Sequence, residues 1–287
     1  MATTGLYSPH VNHPEKRIAR NILLAVILIL FALLTLFPIF YMIMSSFGPA
    51  VATAGTSRSI FPRVWTLDSY KAFFSFSKYS VRWIVNSLIV ASATVAGNVI
   101  FASMAGYAFS KIRFKGRQWL FGLILVAMMI PYQVTQVPLY ILIANKLHMT
   151  NTYAAMILPG VVTSYNIFLA KQFFTSIPTP LIESAKLDGA NEWHVFWDIC
   201  LPQCRSALYS VAILVFIDYW NMVEQPLILL PDADMQPLSV YLSTINAGEI
   251  GIAFAVAVIY MIPGLLMFLH GEAYLVEGIA HSGSVKG

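Results

Sequence analysis

The 287-residue sequence contains little charge and almost no cysteine. Charged residues make up 10% of it, hydrophobic residues make up 58%, and the mean hydropathy is +0.72. A water-soluble domain needs far more surface charge, so this composition excludes an ordinary soluble protein and indicates a chain that crosses a membrane several times. The net charge is +4, but the basic residues are scattered beside apolar runs, which excludes a nucleic-acid-binding surface.

Motifs of catalysis and nucleotide binding are also missing. The sequence has no HExxH, and an intramembrane enzyme is therefore the least favoured class. It has no G-x-x-x-x-G-K-[ST] either, so it lacks the usual cradle for a nucleotide. Cys200 and Cys204 have no histidine or cysteine pair elsewhere to complete a metal site, and we expect structural thiols in a reducing compartment.

Long apolar runs dominate what remains. A helix needs about 20 apolar residues to cross a bilayer. Six stretches meet this requirement: 21–47, 83–110, 118–144, 153–173, 207–230 and 251–275. We therefore predict an all-α polytopic membrane protein with six transmembrane helices in a domain over 21–275, between tails at 1–20 and 276–287. The first run is too long for the apolar region of a signal peptide, about 7–15 residues, and is interpreted as an uncleaved span.

Basic residues predict the orientation. Four cations lie between the second and third spans: Lys111, Arg113, Lys115 and Arg117. Loops rich in lysine and arginine stay in the cytoplasm, and with six spans the 174–206 loop and both termini share that side. The 48–82 loop carries five cations and argues the other way, but long loops weigh less in this rule.

The 174–206 loop has its own helix signals. Thr179 is predicted to cap a helix whose first residue is Pro180, and Gly189 is predicted to end it in a left-handed conformation. Asn191 is predicted to cap a second short helix, and Pro202 to break the chain before the fifth span. Such a hairpin could lie among lipid headgroups or dock into a groove of a soluble partner.

The spacing within this loop resembles the EAA loop of ABC-transporter permeases, E-A-A-x-x-x-G, nine residues, then I-x-L-P. The matching residues are Glu183, Ser184 (in place of the usual alanine), Ala185, Gly189, Ile199, Leu201 and Pro202. Further stretches are similar to the maltose-permease-like (MalG-type) carbohydrate importers: 107–117, 131–140, 151–159, 173–190 and 220–227. The resemblance covers nearly everything from residue 80 onward.

This resemblance implies the transmembrane domain of a type I ABC importer, a subunit without catalytic activity or cofactor of its own. The loop would be a coupling helix, with Glu183 in a charged contact with the ATPase, Gly189 at the turn, and the I-x-L-P residues anchoring it to the fifth span. Implied partners are a second, homologous permease in a heterodimer, two ATPase subunits holding ATP and Mg²⁺, and an extracytoplasmic binding protein that delivers an oligosaccharide. The implied location is a bacterial cytoplasmic membrane. The 276–287 tail is either a frayed end or, by this resemblance, a segment that reaches the ATPase dimer.

Polar residues within the fifth span are candidates for the substrate path. Asp218, Asn221 and Gln225 would share one helical face, with Glu224 beside it, and such groups suit sugar hydroxyls. They could equally join this chain to its partner permease through interhelical hydrogen bonds.

Outside the fifth span, Tyr165 and Asn166 are further path candidates. By contrast, four amides are predicted to make helix–helix contacts: Asn86, Asn98, Gln133 and Gln136. The competing class is a secondary transporter in which Asp218 relays an ion. Within the leading class, polyol, glycerol-3-phosphate, uronate and peptide-like cargo remain alternatives.

Overall fold

The computed structural model of the chain describes residues 14–50, 60–76, 78–245 and 249–283, and no strand occurs in these ranges. The α-helices are, in chain order, α1 (Pro14–Ser46), α2 (Asp68–Phe76), α3 (Ser80–Lys111), α4 (Arg117–Met128), α5 (Tyr132–Ile141), α6 (Tyr153–Val161), α7 (Ser164–Ser176), α8 (Thr179–Leu187), α9 (Glu192–His194), α10 (Leu201–Gln203), α11 (Arg205–Trp220), α12 (Glu224–Leu229), α13 (Leu238–Thr244) and α14 (Ile250–Gly283). Two π-helical stretches, Leu142–Lys146 and Val195–Cys200, continue α5 and α9.

Three helical stretches are long and apolar enough to cross a membrane alone. They are Arg20–Ser46 within α1, Ser80–Lys111, and Ile250–Glu272 within α14. At 1.5 Å per residue each exceeds the roughly 30 Å of bilayer hydrocarbon. Helix α14 continues to Gly283, past the predicted end of the last span at residue 275. The predicted tails lie largely outside the description, which omits 1–13 and 284–287 and the side chains from residue 273 onward.

The third and fourth predicted spans are each divided into two helices, so their prediction as continuous helices was wrong. α4 and the α5 unit meet at 99°, and α6 and α7 meet at 40°. Pro131 explains the first break, because it has no N–H to continue α4 and keeps an extended backbone before α5. If each bent pair counts as one span, the described residues contain up to six.

Helix α3 is the centre of the bundle. It packs against α6, α7 and α11, while α11 packs against α14, which in turn contacts α1 and α2. Its buried face carries small side chains, among them Ala91, Ala102 and Gly106. Small residues let helix backbones approach closely where no hydrophobic effect drives helices together.

Two buried asparagines of α3 donate hydrogen bonds to backbone carbonyls outside α3. Asn98 Nδ2 donates to the carbonyl oxygen of Gly160 at 2.7 Å, next to the break between α6 and α7. Its Oδ1 accepts from Asn166 Nδ2 at 2.9 Å. Asn86 Nδ2 likewise donates to two carbonyls of the 231–237 loop. The interhelical role predicted for Asn98 is confirmed, and the Gly160 carbonyl that it satisfies lies at a helix break that hydrocarbon could not solvate. The interhelical role predicted for Asn86 is confirmed by its Oδ1, which accepts from the Tyr153 hydroxyl of α6 at 2.6 Å.

A candidate docking hairpin and polar residues at a helix break

The segment 178–204 forms a hairpin of short helices, as the sequence predicts. Its start differs from the prediction: Thr179 is the first helical residue and not the cap, because Pro178 already holds the extended conformation that precedes the helix. Its end also differs, because the helix continues through Pro202 to Gln203. Pro202 has no N–H to donate to the preceding turn, and the helix ends one residue later at Gln203. The chain then bends by 76° into α11.

The turn of the hairpin is a Schellman motif. Gly189 has φ +90°, its N–H donates to the Lys186 carbonyl at 3.1 Å, and the Ala190 N–H donates to the Ala185 carbonyl at 3.0 Å. Asn191 then caps the next helix, because its Oδ1 accepts from the His194 N–H at 2.9 Å. The predictions for Gly189 and Asn191 are confirmed, and both are local consequences of residue type.

One face of the hairpin is buried in the bundle. Ile182, Val195, Phe196 and Cys200 pack in one apolar cluster with Phe174 and other residues of α3 and α7. Two residues of the EAA-type pattern, Ala185 and Leu201, are partly buried against the same cluster. Cys200 and Cys204 are buried and unpaired, and burial raises the pKa of the Cys200 thiol.

The opposite face is exposed and has an unusual composition. Glu183, Ser184 and Gly189 lie on it, and a Cβ added to Gly189 would meet open space. Leu187 is 89% exposed and Trp193 is 58% exposed. Large apolar side chains so exposed outside the apolar spans indicate a surface that contacts something else. Sequence reasoning missed Leu187, whose apolar character was the only available signal.

A polar brace ties the hairpin to α3. The Tyr107 hydroxyl donates to Glu192 Oε2 at 2.8 Å, and Lys186 forms an ion pair with the same carboxylate. These two donors, Lys186 first, lower the pKa of the Glu192 carboxyl. Lys111 Nζ at the end of α3 adds a hydrogen bond of 2.5 Å to the Ile177 carbonyl. The hairpin and the C-terminal end of α3 are therefore joined by packing and by charge. Sequence reasoning did not assign this role to Glu192.

The fifth predicted span is interrupted at Asn221–Val223, so the predicted single helical face was wrong. Helix α11 ends at Trp220, and α12 begins at Glu224. The Trp220 carbonyl at the break accepts from the Tyr260 hydroxyl at 2.6 Å. Pro226 has no N–H with which to bond the Met222 carbonyl four residues earlier. The Met222 carbonyl instead accepts from the Ser239 hydroxyl at 2.6 Å.

Three of the six predicted path residues are exposed close to the break. Asp218, Asn221 and Glu224 are exposed. Glu224 Oε2 accepts from Gln136 Nε2 of α5 at 2.8 Å, which confirms the interhelical contact predicted for Gln136. The Asn221 side chain donates to the Ile217 carbonyl at 2.9 Å and accepts from the Tyr260 hydroxyl of α14.

The other path candidates lie elsewhere. Tyr165 is 49% exposed at the start of α7. Asn166 is buried against Asn98, and Gln225 is buried with its Nε2 unpaired. Asn221 lies in the helix break, with Asp218 three residues before it and Glu224 three residues after it. Asn166 makes a contact between α7 and α3. Within the described residues, no group of three or more His, Cys, Asp or Glu side chains could hold a metal ion.

Apolar helices divided at positions that carry exposed polar groups are typical of membrane transporters. The chain is similar along most of its length to known transport proteins. A family model described as "Binding-protein-dependent transport system inner membrane component" matches residues 98–273. The chain therefore belongs to the family of binding-protein-dependent transport system inner membrane components.

Individual relatives agree with this assignment. The arabinooligosaccharides transport system permease protein AraQ of Halalkalibacterium halodurans is 32% identical over 261 residues, covering 89% of this chain and 93% of that protein. The lactose transport system permease protein LacG of Rhizobium radiobacter is 30% identical over 268 residues, covering 91% and 94%. A chain from the crystal structure of a bacterial ABC transporter involved in import of the acidic polysaccharide alginate has a TM-score of 0.80 at 24% identity, covering 94% of this chain and 99% of that one. The predicted all-α ABC-permease fold is confirmed.

Proposed function

We propose that this chain is a permease subunit of an ATP-driven carbohydrate importer and forms half of the translocation path. The observation that carries the proposal is the rigid hairpin at 178–204, held to the bundle on one face and exposed on the other. Family membership supports transport dependent on a binding protein. The names of AraQ and LacG support an oligosaccharide as cargo.

The hairpin suits transmission of force from a separate ATPase. A partner that binds the exposed face would contact Glu183, Leu187 and the Gly189 turn. Movement of that partner would pass through the buried face and through Glu192 to Tyr107, and so to α3 at the centre of the bundle. In this proposal ATP and Mg²⁺ are held by two ATPase subunits, and this chain supplies no catalytic group.

The remaining partners follow from the exposed surfaces. Neither α4 nor α5 contains a buried residue, and their apolar side chains would face lipid and a second, homologous permease. An extracytoplasmic binding protein would deliver cargo on the side opposite the hairpin. The exposed cations Arg113 and Lys115 next to α4 support a cytoplasmic position for the hairpin side and for both termini in a bacterial cytoplasmic membrane.

Asp218, Asn221 and Glu224 are the proposed substrate contacts. Charged groups within a membrane usually face a cavity or a partner, and their carboxylate and amide oxygens would accept hydrogen bonds from sugar hydroxyls. The second candidate function is a secondary transporter in which Asp218 relays an ion. Two carboxylates at the path would disfavour a polyanionic cargo such as a uronate polymer.

A pair of matched glycine variants tests the coupling proposal. Gly189 and Gly116 both have left-handed backbones and open space around an added Cβ, and asparagine tolerates that conformation. Gly189→Asn should release the ATPase subunits from the complex purified from native membranes, whereas Gly116→Asn should retain them. Leu187→Glu, which changes only an exposed side chain, should act like Gly189→Asn. If all three variants keep the ATPase and normal uptake, the hairpin is not the docking element.

Uptake measurements test the transport proposal. Cells that lack the native chain should recover ATP-dependent uptake of labelled oligosaccharide when the chain is restored. Glu224→Gln should change uptake while the purified complex keeps its subunits. Uptake that persists in proteoliposomes containing this chain alone, driven by an ion gradient and abolished by Asp218→Asn, would instead establish the secondary transporter.

A further inference from the structure

An apolar groove of about 460 Å³ lies between α3, the end of the hairpin and the start of α11. Val99 and Met104 line it from α3, and Leu208 and Ala212 line it from α11. The hairpin contributes Phe196, Trp197, Leu201 and Pro202 to the lining. The groove is separate from the polar residues at the Asn221 break and from the exposed hairpin face around Leu187.

Arg205 is the charged residue in the lining of this groove. It is exposed, and it is the first residue of α11, where the chain passes from the hairpin into an apolar helix. Among the side chains that the structure describes, ion pairs join Arg82 to Asp234 and Lys186 to Glu192, and neither includes the Arg205 guanidinium. A guanidinium stays charged at neutral pH and binds phosphate through paired N–H donors.

We propose that this groove binds an anionic phospholipid, with an acyl chain along the apolar lining and the phosphate on Arg205. Water would wet such an apolar groove poorly, and an apolar protein segment would gain nothing from the guanidinium beside it, whereas an anionic head would pair with it. A molecule with a hydrocarbon chain and an anionic head satisfies both features at once, and basic pockets between membrane helices are known to hold such headgroups. Trp197, which is 42% exposed in the lining, is of the residue type enriched at the membrane–water boundary.

The position of the groove gives the lipid a structural consequence. Its occupant would contact Leu201 and Pro202 of the EAA-type pattern and Leu208 of α11 together, across the 76° bend between hairpin and helix. A bound acyl chain would therefore support that bend. The site depends only on the chain lying in a membrane, so it can be tested whether or not the hairpin engages an ATPase.

Photo-crosslinking tests the site directly. The full complex is placed in nanodiscs containing phosphatidylglycerol or phosphatidylcholine, each with the same diazirine-bearing acyl chain, and labelled peptides are mapped by mass spectrometry. We expect phosphatidylglycerol to label residues 99–104 and 205–212 several-fold more than phosphatidylcholine does. Arg205→Gln should remove this preference, whereas Arg113→Gln, which removes an exposed cation elsewhere, should keep it.

A second variant separates the acyl chain from the headgroup. Ala212→Phe fills part of the groove and should reduce labelling by both lipids. The unfolding temperature of the variant complex is measured as a control for its folding. Equal labelling by the two lipids in the unmodified protein would overturn the proposal. So would labelling absent from the groove, or protein–protein cross-links showing that a partner subunit covers it.

Discussion

Replacing Gly106 by alanine tests how closely α3 and α7 must approach beneath the hairpin. A Cβ at this position would lie 2.7 Å from Ala170 Cβ, and 2.8 Å from both the Ala170 carbonyl carbon and the Lys171 nitrogen. Carbon atoms pack best at about 3.5–4.0 Å, so the helices would have to separate by roughly 0.8 Å or more. Two of the three obstructing atoms belong to the backbone and cannot rotate away.

The expected cost follows from two opposing effects. Overpacking a close contact costs about 1–3 kcal/mol. Alanine recovers about 0.5–1 kcal/mol relative to glycine within a helix, because it loses less backbone freedom on folding. The central values of these two ranges leave a net loss of about 1 kcal/mol. The adjacent Tyr107, which braces the hairpin, should share the displacement.

Gly122→Ala in α4 is the matched control, because an added Cβ there would have no neighbour within 4 Å. Both variants are purified in the same detergent, and their unfolding temperatures are followed by tryptophan fluorescence. Each kcal/mol corresponds to roughly 2–4 °C in a protein of about this size. Gly106→Ala should unfold several degrees lower than the unmodified chain, and Gly122→Ala at the same temperature or slightly higher. Equal unfolding temperatures for the two variants would refute the close-packing argument.

Three further predictions concern the polar contacts. Tyr107→Phe removes the O–H that reaches Glu192 and should cost about 1.5–3 kcal/mol, the usual range for a hydrogen bond to a charged group; an unchanged unfolding temperature would show that the brace contributes nothing. Asn98→Leu leaves the Gly160 carbonyl without its donor and should cost about 1–3 kcal/mol of folding free energy. Size-exclusion chromatography of the purified variant should therefore show a larger aggregated fraction than the unmodified chain does. Folding lowers the pKa of the Glu192 carboxyl. Its contribution to the stability of the folded chain is therefore complete above the ordinary carboxyl pKa, near 4.3, and is lost as the pH falls through the lower pKa of the folded state. Glu192→Gln should therefore unfold at a lower temperature than the unmodified chain near neutral pH, and the difference should shrink on acidification; a difference independent of pH would contradict the assignment.

The amino-acid sequence determined the features that depend on residue type and local spacing. Composition alone indicated a membrane protein, and the fixed gaps from Glu183 to Pro202 indicated the permease family. The Schellman turn at Gly189 and the cap at Asn191 were predictable because each uses backbone groups within five residues of it.

Only the tertiary structure decided where the membrane helices break and which polar groups stay exposed. A break inside hydrocarbon is tolerated only if another group satisfies the freed carbonyls, and those groups come from far along the chain. Asn98 reaches Gly160 across 62 residues, and Tyr260 reaches Trp220 across 40. Apolar periodicity looks the same whether such a partner exists or not, so continuous spans were predicted where bent pairs occur. For the same reason, the hydrogen bond from Asn166 to Asn98 could be found only in the structure.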